Sequence, residues 1–247
     1  MMPLTEQANQ QRPSVVVQPQ DVRQLVSFSF YRLDPAWRRL SAKTKSSQTK
    51  EFLATVKHYT KRLMVLSYSL VGLKAEVDFL LWRIGERLEL LQEMSAAICH
   101  TKLGGYLTMP YAFLAMTKRS TYVDRLDPEH QEGRRFVTPA KSKYLFVYPF
   151  VKTTEWYQLP FSERQAMMDE HILIGNKYPS VRIHTTYSFG LDDQDFVLAF
   201  ETDRPQDFLD LVMELRESKA RPYTLRDTPI FTCVAKPLKE VLKELGG

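Results

Sequence analysis

The feature that most restricts how this chain can fold is that it repeats itself. The run Tyr68-Ser69-Leu70-Val71-Gly72-Leu73, followed at Asp78 by Asp-Phe-Leu-Leu-Trp, returns as Tyr187-Ser188-Phe189-Gly190-Leu191, followed at Asp195 by Asp-Phe-Val-Leu-Ala-Phe. Each copy reads as strand, glycine turn, strand. A helical pattern comes next in both halves. Leu88, Leu91, Met94 and Ile98 share one helix face in the first, and Phe208, Leu211, Val212 and Leu215 share one in the second. Upstream, Val26 to Tyr31 alternates as a strand before a helical pattern from about Thr49 to Arg62, and Tyr144 to Val151 does so before one from Ser162 to Gly175. Each half therefore follows the ferredoxin-like βαββαβ order. Two such sheets can cover each other's edges by closing into an α+β barrel, so the predicted fold class is α+β with two ferredoxin-like repeats.

Composition fits that reading. A chain of 247 residues suits one large domain or two small ones. The duplication resolves this into a half from 23 to 117 and a half from 142 to 247. A tail, 1 to 22, and a polar linker, 118 to 141 with Pro128, Gly133 and Pro139, complete the division. The tail is rich in Gln and Pro and reads as flexible rather than as an exported leader. Two cysteines, Cys99 and Cys233, are too few for a disulfide framework. Their flanks read as packed helix and strand, and they fit a reducing, cytoplasmic setting. The longest apolar stretch, Leu63 to Leu73, is too short and too interrupted to span a membrane. A net charge of +5 permits an anionic ligand. Basic residues are interleaved with acids, and the densest runs, Lys43 to Lys50 and Arg134 with Arg135, sit in apparent loops without stacked aromatics. That pattern argues against a nucleic-acid surface.

Chemistry concentrates in the second half. The predicted helix from Ser162 opens with a capping-box pair, Ser162 and Gln165, and stops at Gly175 and Asn176. Met167, His171 and Ile174 form one stripe, which turns His171 inward. A lone inward histidine is either a satisfied core residue or a ligand. No second chelating side chain shares its face, which excludes a multi-ligand zinc site, whereas a haem iron needs only one protein ligand. On the next strand Arg182, His184 and Thr186 share a face, opposite Val181, Ile183, Thr185 and Tyr187. Inside a barrel such a face demands partners; on a solvated face it carries no message. Tyr148 and Lys152 fall together at the end of their strand, with Trp156 and Tyr157 as an aromatic wall or as ordinary half-buried residues.

Several of these stretches occur together in one known family. Tyr148-Pro149-Phe150-Val151-Lys152, Glu155-Trp156-Tyr157-Gln158-Leu159-Pro160, Met167-Met168-Asp169-Glu170-His171, Gly190-Leu191-Asp192-Asp193 and Phe196 to Glu201 resemble, in order, motifs of the chlorite dismutase family. That family includes the coproheme decarboxylases of haem biosynthesis. The resemblance implies a barrel of the dimeric α+β type, usually assembled as a homo-oligomer of five, with haem b or iron-coproporphyrin held in the C-terminal half.

By the same resemblance, His171 is the axial iron ligand, Tyr148 the tyrosine that becomes a radical, Lys152 a proton donor or propionate partner, and Trp156 a residue lining the porphyrin. Glu217 is a candidate partner for the far nitrogen of His171. On the distal side dismutases use an arginine and one group of decarboxylases a glutamine. Here the strand offers Arg182, Ile183 and His184; counting from His171 favours His184, and counting back from Gly190 favours Ile183. The implied function is a peroxide-using haem oxidoreductase that decarboxylates iron-coproporphyrin. Chlorite dismutation or weak peroxidase activity through Arg182 is an alternative, and a non-catalytic haem-binding or structural barrel is another. Small-molecule oxidant, peroxide or chlorite, is the expected partner besides copies of the chain itself.

Overall fold

The computed structural model describes residues 22–122 and 136–247. Most of the expected tail, and Pro128, Gly133, Arg134 and Arg135, lie outside the described residues. The first half runs β1 (Leu25–Leu33), α1 (Pro35–Arg38), α2 (Ala42–Tyr59), β2 (Met64–Ser69), β3 (Phe79–Gly85), α3 (Leu88–His100) and β4 (Leu107–Met116). The second runs β5 (Tyr144–Lys152), α4 (Thr154–Gln158), α5 (Phe161–Asn176), β6 (Arg182–Tyr187), β7 (Phe196–Thr202), α6 (Pro205–Glu217), β8 (Thr224–Arg226), β9 (Phe231–Ala235) and α7 (Leu238–Glu244).

Strand order is β4-β1-β3-β2 in one half and β9-β5-β7-β6 in the other. Two short antiparallel seams join them. Tyr68 and Ser69 of β2 pair with Ala235 and Val234 of β9, and Met116 of β4 pairs with Tyr187 of β6. The result is a closed ring of two ferredoxin-like sheets, the expected fold, with no long bare edge among its eight strands. β8 lies outside the ring, against the end of β5.

The sequence echo marks a hairpin built twice. In the first copy the Leu70 N–H donates to Asp78 O at 2.8 Å, and the Leu33 N–H at the end of β1 donates to Asp78 Oδ2 at 2.7 Å. In the second, Ser188 N–H donates to Asp195 O at 2.8 Å, and Lys152 N–H at the end of β5 donates to Asp195 Oδ2 at 2.7 Å. Gly72 and Gly190 both turn with positive φ, 75° and 69°, which a side chain would strain. Each aspartate thus ties a hairpin to the end of its neighbouring strand.

Three local expectations are corrected. Lys43 to Lys50 lie in α2 rather than a loop, because Ser41 caps that helix by accepting the Thr44 N–H at 3.2 Å. Cys99 lies on α3 but is exposed, since the buried stripe passes through Leu91, Met94 and Ile98; Cys233 is buried in β9. Ser162 does not cap α5. The helix begins at Phe161, which puts Ser162 inside the first turn, and the Gln165 amide instead donates to Asp169 Oδ1 at 2.7 Å.

Aromatic and aliphatic side chains fill the barrel, with Phe30 stacked on Phe231 at 3.9 Å and Phe28 on Trp82 at 5.4 Å. One buried polar pair lies among them: His184 Nε2 sits 2.8 Å from Glu201 Oε2, with the two residues 6% and 0% exposed. Glu201 also accepts the N–H groups of Ala140 at 2.7 Å and Lys141 at 3.1 Å, binding the end of the linker to the barrel. Burial alone would raise the Glu201 carboxyl, but hydrogen bonds from His184 and the Ala140 N–H outweigh it and hold the group below its ordinary value of 4.5. A depressed folded value means this stabilisation is complete above pH 4.5 and is lost as the pH falls through the folded value. Glu201→Ala should cost about 3 kcal/mol in urea unfolding near neutrality. The penalty should shrink as acid protonates the wild-type carboxylate.

Candidate active site

The outer faces of the two half-sheets are pseudo-equivalent but filled differently. The first is covered by α2, α3 and the C-terminal helix α7, whose Val241 and Leu242 join Phe52, Leu91, Met94 and Ile98 in one large cluster. On the second, α6 buries Phe208 and Leu211, but no third helix corresponds to α7 among the described residues. There α5 buries only Gln165 and Ile174, leaving Met167, Met168 and His171 half-buried. This face of α5 is therefore less completely covered than the corresponding face in the first half.

Strand β5 brings the expected residues to this side. Tyr148 stacks on Phe200 at 5.6 Å, and Phe146 stacks on Phe208 at 4.0 Å, so this face of β5 looks toward the helices. Tyr148 is only 7% exposed, yet its hydroxyl has no hydrogen-bond partner among the described residues. Burial, then the charge of Asp227, push its phenol above the ordinary range. Four residues on, Lys152 Nζ lies 4.1 Å from the Trp156 ring centroid and donates to Ala220 O at 3.3 Å. Trp156 is buried and packs against Tyr223 at 5.7 Å. Asp195 Oδ2 receives both the Lys152 N–H and the Tyr157 hydroxyl, each at 2.7 Å.

Burial, then the like charge of Arg221, lower the Lys152 ammonium to about 8, with Asp195 opposing. Burial, then the charge of Lys152, lower the His171 imidazole to about 4. His171 and Lys152 therefore share one electrostatic environment, and the imidazole is neutral at physiological pH with its lone pair free. No described residue hydrogen-bonds to it. Glu217 is exposed at the end of α6, and Glu170 instead accepts the Lys219 N–H at 3.0 Å.

Strand β6 separates the distal candidates. His184 pairs in register with Ala199, inside the barrel, and its ring lies 5.5 Å from Trp82. Arg182 is exposed on that same strand face, donating to Thr138 Oγ1 at 2.6 Å. Alternation turns both away from the Tyr148 face. The residue it turns toward that face is Ile183, which pairs with Phe200 and is 39% exposed. The expectation that Arg182 or His184 joins the cluster is therefore corrected: Glu201 supplies the barrel-side partner that makes a buried His184 tolerable.

Comparison with known proteins supplies the family. A sequence model described as chlorite dismutase matches residues 45–236, more than three quarters of the chain. The chain belongs to the chlorite dismutase family. It is 32% identical over 166 residues to the coproheme decarboxylase of Mycolicibacterium smegmatis, covering 67% of this chain and 70% of that protein. With the coproheme decarboxylase of Staphylococcus carnosus it shares 29% over 167 residues, 62% of this chain and 66% of that one. Among solved structures, chlorite dismutase from Candidatus Nitrospira defluvii in complex with imidazole superposes with a TM-score of 0.82 at 27% identity, covering 91% and 95% of the two chains.

Within this chlorite dismutase family member, sequence reasoning missed Arg216, Arg221 and Asp227. Arg216 Nη2 and Arg221 Nη1 reach Asp227 Oδ2 at 2.9 and 2.7 Å, and all three charges act on Tyr148. The signal available was a compact Arg-Pro-Tyr-Thr-Leu-Arg-Asp run, which has no period of its own. Dimethylated lysines observed by NMR should show one resonance, Lys152, titrating near pH 8. Removing the like charge in Arg221→Gln should move that midpoint up, and removing the opposite charge in Asp195→Asn should move it further down.

Proposed function

We propose that this protein is a peroxide-using haem enzyme that decarboxylates iron-coproporphyrin, with His171 holding the iron. What supports this reading is that Tyr148 and Lys152, on β5, lie on the side of the sheet that packs against α5, where His171 is neutral, feels the charge of Lys152 and has no hydrogen bond among the described residues. The residues fit such a group: one free imidazole suffices for a macrocycle that brings four donors, the walls are apolar and aromatic, and cations stand at one edge. When bound, iron-coproporphyrin together with peroxide supplies the oxidising power. Coproheme is what the relatives from Mycolicibacterium smegmatis and Staphylococcus carnosus are named for acting on, which supports the choice of substrate.

The chain's own residues supply position and proton movement. Converting one propionate to a vinyl group releases carbon dioxide and removes one proton and two electrons; peroxide takes these up, together with one further proton from solution, on reduction to two waters. Tyr148 is the relay for electron and proton: its buried phenol keeps its proton at neutral pH and has no competing hydrogen bond among the described residues. Lys152, with its lowered pKa, moves a proton at Nζ under mild conditions. Chlorite dismutation fits less well, because Arg182 is bound to Thr138 on the opposite strand face and Ile183 stands in the available position. A non-catalytic barrel gives no account of a half-buried lysine with a lowered pKa on the same strand as a buried tyrosine whose hydroxyl has no hydrogen bond among the described residues.

The half-domain boundaries, the pentameric ring and the cytoplasmic setting belong to this same reading. Free Cys99 and Cys233 support a reducing compartment, and no helix among the described residues is long and apolar enough to cross a membrane. Mixing the protein with iron-coproporphyrin and peroxide should yield successive porphyrin mass losses, one carbon dioxide and two hydrogens at a time. Tyr148→Phe should abolish the losses and leave porphyrin binding intact. His171→Ala should weaken binding and shift the Soret band. Absence of any mass loss from the wild-type complex overturns decarboxylation.

A further inference from the structure

The hairpin aspartates that align the two halves also align their outer faces. Leu33 and Lys152 stand at equivalent strand ends, bonded to Asp78 and Asp195. Four and six residues back along each strand, Ser29 answers to Tyr148 and Ser27 to Phe146. Five residues after each aspartate, Arg83 answers to Phe200, and the registers agree: Ser27 lies opposite Arg83 as Phe146 lies opposite Phe200. Where the second half stacks aromatic rings, the first places a guanidinium among hydroxyls.

That guanidinium is enclosed. Arg83 is 4% exposed beneath α3, and Ser27 and Ser29 are 7% and 1% exposed. Its Nη1 donates to Leu91 O at 3.1 Å and to Ser95 Oγ at 2.7 Å, and its Nη2 donates to Ser27 Oγ at 3.0 Å and to Ser29 Oγ at 2.7 Å. The Nε–H is buried with no partner among the described residues. No carboxylate among those residues pairs with Arg83; the opposing group that it feels is the Tyr31 phenol.

The surroundings are rich in donors and poor in acceptors. Ser95 Oγ gives its own proton to Leu91 O at 3.0 Å. Ser27 and Ser29 lie 3.4 Å apart and both accept from Nη2, so at most one of their two protons is used between them. Tyr31, itself buried, reaches Ser29 and feels the charge of Arg83. Arginine keeps its proton at any ordinary pH. A buried cation ringed by neutral groups is strongly unfavourable unless an anion joins it. A single charge matches one guanidinium, and enclosure under α3 selects a small ion. Half-buried Ser95 marks the side nearest solvent.

We infer that Arg83, with the Ser27, Ser29 and Tyr31 hydroxyls, binds a small monovalent anion such as chloride beneath α3. Its Nε–H and the remaining hydroxyl protons supply the donors that such an ion requires. The site belongs to the first half alone, since stacked Phe146, Tyr148 and Phe200 fill the equivalent positions in the second. It requires no porphyrin.

Thermal melts of the full-length protein, with no porphyrin added, read the site. Replacing sodium gluconate by sodium chloride at equal ionic strength should raise the wild-type midpoint by about 3 °C, a rise that saturates with chloride. Arg83→Met should lose it. Wild-type crystals soaked in sodium bromide decide the matter even where Arg83→Met fails to fold: an anomalous peak is expected within hydrogen-bond distance of Arg83 Nε. Equal wild-type midpoints in the two salts, a rise that survives in Arg83→Met, or bromide crystals with a carboxylate or no peak at Nε would overturn the anion site.

Discussion

A four-stranded ferredoxin-like sheet covers one face with its two helices and leaves the other bare, and everything in this molecule follows from how that bare face is hidden. Two copies turn their bare faces toward each other and close through seams of only one and two residue pairs. Seams so short cannot hold the ring alone. The interior holds it, through stacked aromatics such as Phe30 on Phe231 and the enclosed His184–Glu201 pair that also anchors the end of the linker. Once the inner faces are spent on each other, only the outer faces remain for ligands.

Those outer faces began as equivalents, and the chain breaks their symmetry with its last helix. α7 crosses to the first half and completes its outer core, so that face is a packed interior with no room for chemistry. In the second half α5 buries only Gln165 and Ile174, so its side is covered less completely. Duplicated positions accordingly diverge in meaning. Asp78 and Asp195 make the same bond to the end of a neighbouring strand, but only at Asp195 is the recipient a lysine, held over a tryptophan. A structural device present twice becomes part of a site once.

How much of this was legible in the sequence varies with the physics of each element. The repeat was readable because a glycine with positive φ and a capping aspartate are required wherever that hairpin is built, and both copies retain them. The face shared by Arg182 and His184 was readable from alternation. Which side of the sheet that face looks to was not, because it depends on Glu201, a strand away in space and 17 residues away in sequence. Only the three-dimensional arrangement separates the candidates, turning Ile183 toward the Tyr148 face and Arg182 and His184 away from it. Arg221 and Asp227 escaped notice for a related reason: an irregular strap has no period, and its importance comes from the strand it lies against. The capping box failed because Pro160 starts α5 one residue early, a shift that composition does not reveal.

The central claim is that the space beside α5 holds an iron porphyrin through one neutral histidine. Resonance Raman spectroscopy of the ferrous complex with iron-coproporphyrin tests it most directly. The wild-type protein should show an iron–histidine stretching band that vanishes in His171→Ala and returns on adding free imidazole. A band that survives the His171→Ala substitution unchanged, or its absence from the wild-type complex, would contradict the account.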